Sequence, residues 1–119
     1  MALLGTLKRN NIPFAVHSDY TMAPALPLNS AWVAATRINE AGKTVGEGEI
    51  VPLYDALKSI TVDAAYVLGL DHEIGSLRAG KRADFTILEQ DPFEVGAEGL
   101  KDIDIWGTVF AGAPHPIEK

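Results

Sequence analysis

The first half of the chain combines helical stripes of apolar residues with one short, uninterrupted apolar segment. Three leucines at helical spacing predict a helix over residues 2–10, which Asn10 and Asn11 would end because asparagine tolerates the left-handed conformation found after helices. Residues 12–16, Ile-Pro-Phe-Ala-Val, are typical of a buried strand, and the polar residues 17–20 follow directly. A helix followed by such a strand indicates an α/β arrangement, in which active sites lie at the carboxyl ends of the strands.

Helical periodicity dominates the next part of the chain. A helix is predicted from Asn29 or Ser30, either of which can act as the N-cap, to about Ala41, where a glycine follows. A second helix begins at Pro52, because proline suits the first turn of a helix, and a third covers residues 62–68. Helices are therefore expected to outweigh strands in the first half of the molecule.

After Gly69 the spacing of the apolar residues changes from helical to alternating. Residues 74–77 and 83–88 predict a β-hairpin, with Gly80 supplying a positive φ at the turn. Residues 103–111 alternate between apolar and polar side chains and predict a final strand. The segment 113–116 contains two prolines, which are expected to end that strand because proline cannot donate to a ladder.

The amino-acid composition excludes several classes of protein function. The chain has 119 residues, 47% of them hydrophobic, which suffices for one domain with an ordinary core. Its formal net charge of −6 argues against a nucleic-acid partner, because phosphate binding needs a concentrated basic surface. The absence of cysteine excludes disulfides, iron–sulfur clusters and thiolate zinc ligands. No apolar window is long enough to span a membrane and no signal peptide is recognisable, so a cytoplasmic protein with no membrane partner is expected.

The order of short motifs along the chain resembles one enzyme family. The segment Pro13-Phe-Ala-Val-His-Ser-Asp19 resembles the last barrel strand of the metal-dependent amidohydrolase superfamily, whose motif there ends in Ser-Asp. Pro27-Leu28 and Ala34-Ala-Thr-Arg37 resemble the following helix in its YtcJ-like branch, also called amidohydrolase 3. The C-terminal signature of that branch is similar to Ala56-Leu57, Thr61, Ala64-Ala65, Leu68-Gly69, Gly75-Ser-Leu77, Gly80-Lys81 and Ala83-Asp-Phe85. The agreement in order extends over nearly the whole chain.

This resemblance implies a mixed α/β (α+β) fold that is incomplete as a single chain. Residues 1–70 would contribute the last strand and helices of a (β/α)8 barrel. Residues 71–119 would contribute a small C-terminal β-sheet of the composite sandwich that the family builds from both chain ends. The two parts together are expected to form one compact unit.

The resemblance also implies a hydrolase that acts on non-peptide C–N bonds with the help of a divalent metal, most often zinc. In the family, the aspartate that ends the last strand binds metal and takes the proton from the attacking water, and by position this residue is Asp19. His17 lies two residues earlier, on the same strand face, and is a candidate second ligand. Tyr20 and Arg37 are the candidate substrate-binding residues. The alternatives without a catalytic or binding function are that Asp19 caps the following turn and that Arg37 forms an ion pair on its helix.

The ligand set in this chain is incomplete. A catalytic zinc takes three protein ligands and an open position, whereas Asp19 and His17 supply two. The family's His-x-His pair is missing, and the three histidines are widely spaced. The chain therefore resembles the C-terminal part of such an enzyme, and we expect it to bind no stoichiometric zinc on its own.

Two main hypotheses follow for the chain as a whole. In the first it is part of a hydrolase of small molecules, completed by an N-terminal barrel segment. In the second it is a non-catalytic relic that self-associates and holds no metal; a small ligand-binding protein is a weaker third. A homo-oligomer is expected because the strands predicted at 12–16, 83–88 and 103–111 would lack their barrel and sandwich neighbours, and unpaired edges recruit other strands.

Overall fold

The computed structural model describes residues 2–18 and 26–118, and these residues form a mixed α/β fold. The helices are α1 Leu4–Arg9, α2 Pro27–Thr36, α3 Leu53–Lys58, α4 Val62–Val67 and α5 Pro92–Val95. The strands are β1 Phe85–Leu88, β2 Ile105–Phe110 and β3 Ala113–Pro116. Short 3₁₀ turns occupy Glu47–Glu49 and Ala97–Asp102. No helix within the described ranges has the length and apolar character needed to cross a bilayer.

The first two helices show how local sequence sets helix ends. Helix α1 ends as predicted, with Asn10 as its C-cap and Asn11 at a φ of 55°. Helix α2 begins earlier than predicted because Pro27 occupies its first turn. Its predicted end at Ala41 is wrong, since Arg37 takes the left-handed conformation and the chain then turns back on itself, with Ile38 and Thr44 forming an isolated bridge. Tertiary contacts of Arg37, rather than a glycine, end this helix.

The apolar segment 12–16 does not form the predicted strand. Its residues lack a paired strand in the described structure, and Ile12 is 49% exposed rather than buried. One bond from the Val16 N–H to the Ser59 carbonyl, 3.3 Å long, ties its end to the residue after α3. The segment has the composition of a central parallel strand, but such a strand needs neighbours on both sides to complete its hydrogen bonds.

The three strands form one antiparallel sheet in the order β1-β2-β3. β1 and β2 fall within the predicted strands 83–88 and 103–111, whereas the hairpin predicted between 74–77 and 83–88 is wrong. Residues 73–82 instead close a local loop, in which the Arg82 N–H donates to the Glu73 carbonyl over 2.9 Å. The strand predicted at 103–111 does end before the prolines, but the prediction that they cannot continue a ladder is wrong, because β3 contains both of them and pairs with β2.

A small apolar core joins the helices to the end of the chain. Its buried members are Leu4, Phe14, Ala31, Ala34, Ala35, Val51, Ala56, Leu100 and Ile103. The alanine-rich face of α2 allows the 97–102 turn to approach closely, so that Leu100 is fully buried. Segments on both sides of the predicted division at residue 70 therefore contribute to one core.

Helix α1 is held against the 47–49 turn by a charged contact. The carboxylate of Glu49 accepts the Thr6 hydroxyl at 2.6 Å and the Thr6 N–H at 2.7 Å, and Arg9 donates to it at 3.2 Å. The two Thr6 bonds, with a smaller contribution from the Arg9 charge, lower the pKa of Glu49 below its ordinary value, against a partial desolvation that raises it. The ionised form of Glu49 is therefore the form that stabilises this contact.

This contact predicts a pH dependence of stability. Because the folded-state pKa of Glu49 is lowered, its contribution is present above the pKa of unfolded glutamate and is lost as the pH falls through the folded-state value. We expect Glu49→Gln to lower the free energy of unfolding at pH 7 and to flatten its decline in acid, as measured by urea titration at a series of pH values. Glu47→Gln removes the same charge two residues away and serves as the control. Equal pH profiles for the two variants would contradict the role given to the Thr6–Glu49 contact.

Candidate functional site

The apolar segment 12–18 ends at a cavity of about 390 Å³. The described residues that line it are Ala2, Leu4, Ala15, Val16, His17, Ser18, Asn29, Ser30, Val33, Ala34 and Arg37. The N-terminal segment, the end of segment 12–18 and helix α2 thus meet around one space. Its wall combines small apolar side chains with hydroxyl, amide, imidazole and guanidinium groups, which is the usual make-up of a small-molecule site.

The end of segment 12–18 is fixed by anchors on either side of its backbone. Phe14 is buried in the core, and the Val16 N–H bonds to the carbonyl of Ser59. Ser59 is itself fully buried, and its hydroxyl donates to the Ala56 carbonyl over 2.6 Å. These contacts hold His17, which is exposed, at the cavity, although no strand among residues 2–18 and 26–118 pairs with the segment.

Helix α2 supplies the opposite wall. Asn29 and Ser30 line the cavity from the first turn of the helix, with Val33 and Ala34 one turn further on. The sequence suggested Asn29 and Ser30 only as helix caps, whereas the helix already starts at Pro27 and leaves their side chains to the cavity wall. The signal that could have found them is proline at the first helical position, since it moves the cap two residues upstream.

Arg37 closes the cavity at the far end of α2. The residue is only 5% exposed, and its Nε donates to the Val45 carbonyl at 2.6 Å while one terminal nitrogen donates to the Ala2 carbonyl at 2.8 Å. The Val45 N–H bonds back to the Arg37 carbonyl at 2.9 Å. Gly46, at a φ of 67°, leaves room for the guanidinium, because a Cβ there would lie 3.0 Å from a terminal nitrogen. The guanidinium is thus held rigidly by main-chain acceptors.

The structure brings together some of the predicted site residues. His17 and Arg37 line the same cavity, although they are twenty residues apart in sequence. Asp19 and Tyr20 lie outside the described residues. The two other histidines are elsewhere: His72 lines a different groove and His115 lies in β3.

The described residues do not complete a metal site. Within residues 2–18 and 26–118, no group of three or more His, Cys, Asp or Glu side chains is placed to hold a metal ion. Among the described lining residues, His17 is the one with an imidazole or carboxylate donor. Zinc in a catalytic site takes three protein ligands, so the donors among the described residues are too few to hold the ion on their own.

The chain is similar to known amidohydrolases along most of its length. The model of the amidohydrolase family matches residues 2–115. N-substituted formamide deformylase of Arthrobacter pascens is 30% identical over 95 residues, which are 80% of this chain and 18% of that protein. The Bacillus subtilis protein YtcJ, named as an amidohydrolase, is 32% identical over 110 residues, 90% of this chain and 21% of that protein. The chain thus spans about a fifth of the length of these relatives.

The fold of the chain is similar to part of a solved amidohydrolase structure. A crystal structure of an amidohydrolase from Thermotoga maritima superposes with a TM-score of 0.64 at 23% identity, covering 93% of this chain and 24% of that one. The family match covers almost every residue, and it confirms the resemblance that the motifs indicated. The likeness in fold agrees with it. With sequence and fold in agreement, the chain belongs to the amidohydrolase family.

Proposed function

We propose that this chain is the C-terminal part of a hydrolase that cleaves non-peptide C–N bonds of small molecules. The observation that carries the proposal is the family match over residues 2–115, whose C-terminal boundary lies close to the end of β3. The deformylase relative supports the bond type, since removal of the formyl group from an N-substituted formamide breaks a C–N bond. In the proposed full-length barrel, segment 12–16 would be the last strand, and the cavity at its end would then be the place for a substrate, because active sites of barrel enzymes lie at the carboxyl ends of the strands.

In this proposal Asp19 is the central catalytic residue. It directly follows Ser18, which lines the cavity, and its carboxylate would accept the proton of the attacking water. A divalent metal, most often zinc, would lower the pKa of that water and polarise the scissile group. Asp19 and His17 are the ligands this chain would offer, and the remaining ligands would come from the other four-fifths of the longer protein.

The cavity wall suggests how a substrate would be held. Arg37 uses Nε and one terminal nitrogen on main-chain carbonyls, and a guanidinium has five N–H donors, so donors remain for a substrate carboxylate. Its low exposure strengthens such a contact, because a charge pair is weakly screened away from bulk water. The apolar wall formed by Leu4 and Val33 would take a small hydrocarbon group, and Tyr20 would complete the contacts.

The test compares two variants of the full-length protein that contains this segment. Asp19→Asn removes the proton acceptor while keeping the size of the side chain, and we expect it to abolish most hydrolysis of amide, cyclic imide and ester substrates. His72→Asn changes a histidine that lies away from the cavity and should leave turnover unchanged. Turnover that survives Asp19→Asn at the wild-type rate would show that the proposed role of Asp19 is wrong.

Metal content of the isolated chain provides the second readout. Since two ligands leave zinc under-coordinated, we expect the purified 119-residue chain to retain less than about 0.2 equivalents of zinc after dialysis and to show no turnover. Stoichiometric zinc that is lost on Asp19→Ala would show that the chain completes a metal site by itself. Elemental analysis by mass spectrometry distinguishes the two results.

A further inference from the structure

Arg37 adopts a backbone conformation that its residue type disfavours. Its φ of 53° and ψ of 29° place it in the left-handed region, where the Cβ of a non-glycine residue is crowded by its own backbone. The sequence offers no glycine at this end of α2, since the next one along the chain is Gly42. Neighbouring contacts must therefore hold Arg37 in this conformation.

The hydroxyl of Thr36 supplies two such contacts, one on each side of Arg37. It donates to the Trp32 carbonyl at 2.8 Å and accepts the Ile38 N–H at 3.3 Å. A hydroxyl has one proton and two lone pairs, so the bond to Trp32 leaves a lone pair directed at Ile38. The bond to the Ile38 N–H closes a turn around Arg37. Because Thr36 is only 6% exposed, little water is available to replace either bond.

The left-handed turn also sets the direction of the Arg37 main chain and side chain. The Arg37 carbonyl accepts the Val45 N–H at 2.9 Å, while Nε of the same residue donates to the Val45 carbonyl at 2.6 Å. A right-handed Arg37 would continue the helix and direct its carbonyl along the helix axis. Both bonds to Val45 therefore depend on the conformation that the Thr36 hydroxyl encloses.

We propose that Thr36 is a positioning residue of the hydrolase, whose hydroxyl keeps Arg37 left-handed so that the guanidinium lies in the cavity wall with donors left for a substrate carboxylate. Arg37 is among the described residues that line the cavity and Thr36 is not, so the threonine acts through the arginine. This inference rests on the proposed function, because a bound substrate gives the direction of the guanidinium its chemical role. The contacts that carry it join residues 32–45 to one another, so they do not depend on chain outside this segment.

Two substitutions separate the hydroxyl of Thr36 from the shape of its side chain. Thr36→Val keeps the branched shape but can neither donate nor accept a hydrogen bond, whereas Thr36→Ser keeps the hydroxyl. Thr61→Val is the matched control, because the Thr61 hydroxyl also donates to a carbonyl four residues earlier, that of Leu57, at 2.7 Å. Thr61 lines the separate groove near His72. Far-UV circular dichroism verifies that each variant is folded.

Steady-state kinetics of the full-length hydrolase give the first readout. Thr36→Val should raise KM about tenfold for substrates that carry a carboxylate, which is the usual effect of losing one charged hydrogen bond. KM for neutral analogues and kcat for both substrate types should stay near the wild-type values, because the other residues of the cavity wall are unchanged. Thr36→Ser should recover most of the loss, and Thr61→Val should change neither KM. A general loss of stability would affect both substrate types alike and would not give this difference.

The Nε–H of Arg37 gives a second readout that needs no substrate. In ¹H–¹⁵N NMR spectra of the 119-residue chain, this proton should exchange slowly with solvent because it bonds to the Val45 carbonyl. Exchange should become fast in Thr36→Val and stay slow in Thr36→Ser and Thr61→Val. Slow exchange in Thr36→Val, or a KM that rises no more for carboxylate substrates than for neutral ones, would overturn the positioning role. A full-length protein without hydrolase activity would instead contradict the proposed function, and the exchange measurement would still decide whether Thr36 orients Arg37.

Discussion

Replacing Leu100 by alanine should lower the free energy of unfolding by about 2–5 kcal/mol, the usual cost of deleting a buried leucine side chain. Leu100 is 0% exposed and lies in the 97–102 turn, against the alanine-rich face of α2. Alanines on that face have no side-chain length with which to fill the space that the substitution leaves. The site therefore collapses poorly, and the cost should lie in the upper part of the range.

Urea unfolding followed by circular dichroism measures the effect, with Leu77→Ala as the matched control. Leu77 is 72% exposed, so the same truncation there should change the free energy of unfolding by less than about 0.5 kcal/mol. If the two variants unfold at similar urea concentrations, then Leu100 does not hold the C-terminal turn against α2, and the core described above is wrong in this region.

The sequence did not identify Leu100 as a core residue, and the reason is physical. Residues 93–101 show neither helical nor alternating apolar periodicity, so they predict a loop or a weak helix. A 3₁₀ turn needs no periodic pattern, because one side chain is enough to anchor it. Its burial depends on small residues in α2 that are distant in sequence. Such pairing of a large side chain with a remote row of alanines can be seen only in three dimensions.

Strand predictions succeeded where the chain itself supplies the partner. β1 and β2 lie within predicted strands because each forms its ladder with the other. Segment 12–16 has the pattern of a strand without a neighbouring strand in the described structure, and the pattern alone cannot reveal this. In β3, proline is excluded only at ladder positions that must donate an N–H, and the alternation of the ladder places Pro114 and Pro116 at the other positions.

Two of the residues that the sequence singled out, His17 and Arg37, lie at one cavity, and their roles in a site stay a prediction. The polar end of segment 12–18 does lie at a cavity, and Arg37 does line it. The motif resemblance suggested both. The main-chain contacts of Arg37 were not predictable, because they depend on the left-handed turn after α2 and on the return of the chain to Val45. Local backbone conformation at a helix end thus determined which groups surround the cavity.

Arg37→Ala should lower the free energy of unfolding by about 3 kcal/mol, because it removes charged hydrogen bonds from two carbonyl acceptors. These acceptors belong to Ala2 and Val45, so the guanidinium connects the N-terminal segment and the 43–46 loop to the end of α2. Arg37→Lys keeps the charge but cannot reach both acceptors with one ammonium group, and it should recover at most half of the loss.

Comparison with a second arginine separates this structural role from substrate recognition. Arg78→Ala is the matched control, since Arg78 is exposed and should change the free energy of unfolding by less than about 0.5 kcal/mol. A cost for Arg37→Ala no larger than that of Arg78→Ala would contradict the bridging role. In the full-length hydrolase, Arg37→Lys should also raise KM for substrates that carry a carboxylate more than for their neutral analogues, because an ammonium lacks the bidentate geometry of a guanidinium. Equal changes in KM for both substrate types would mean that Arg37 acts only by holding the cavity wall in place.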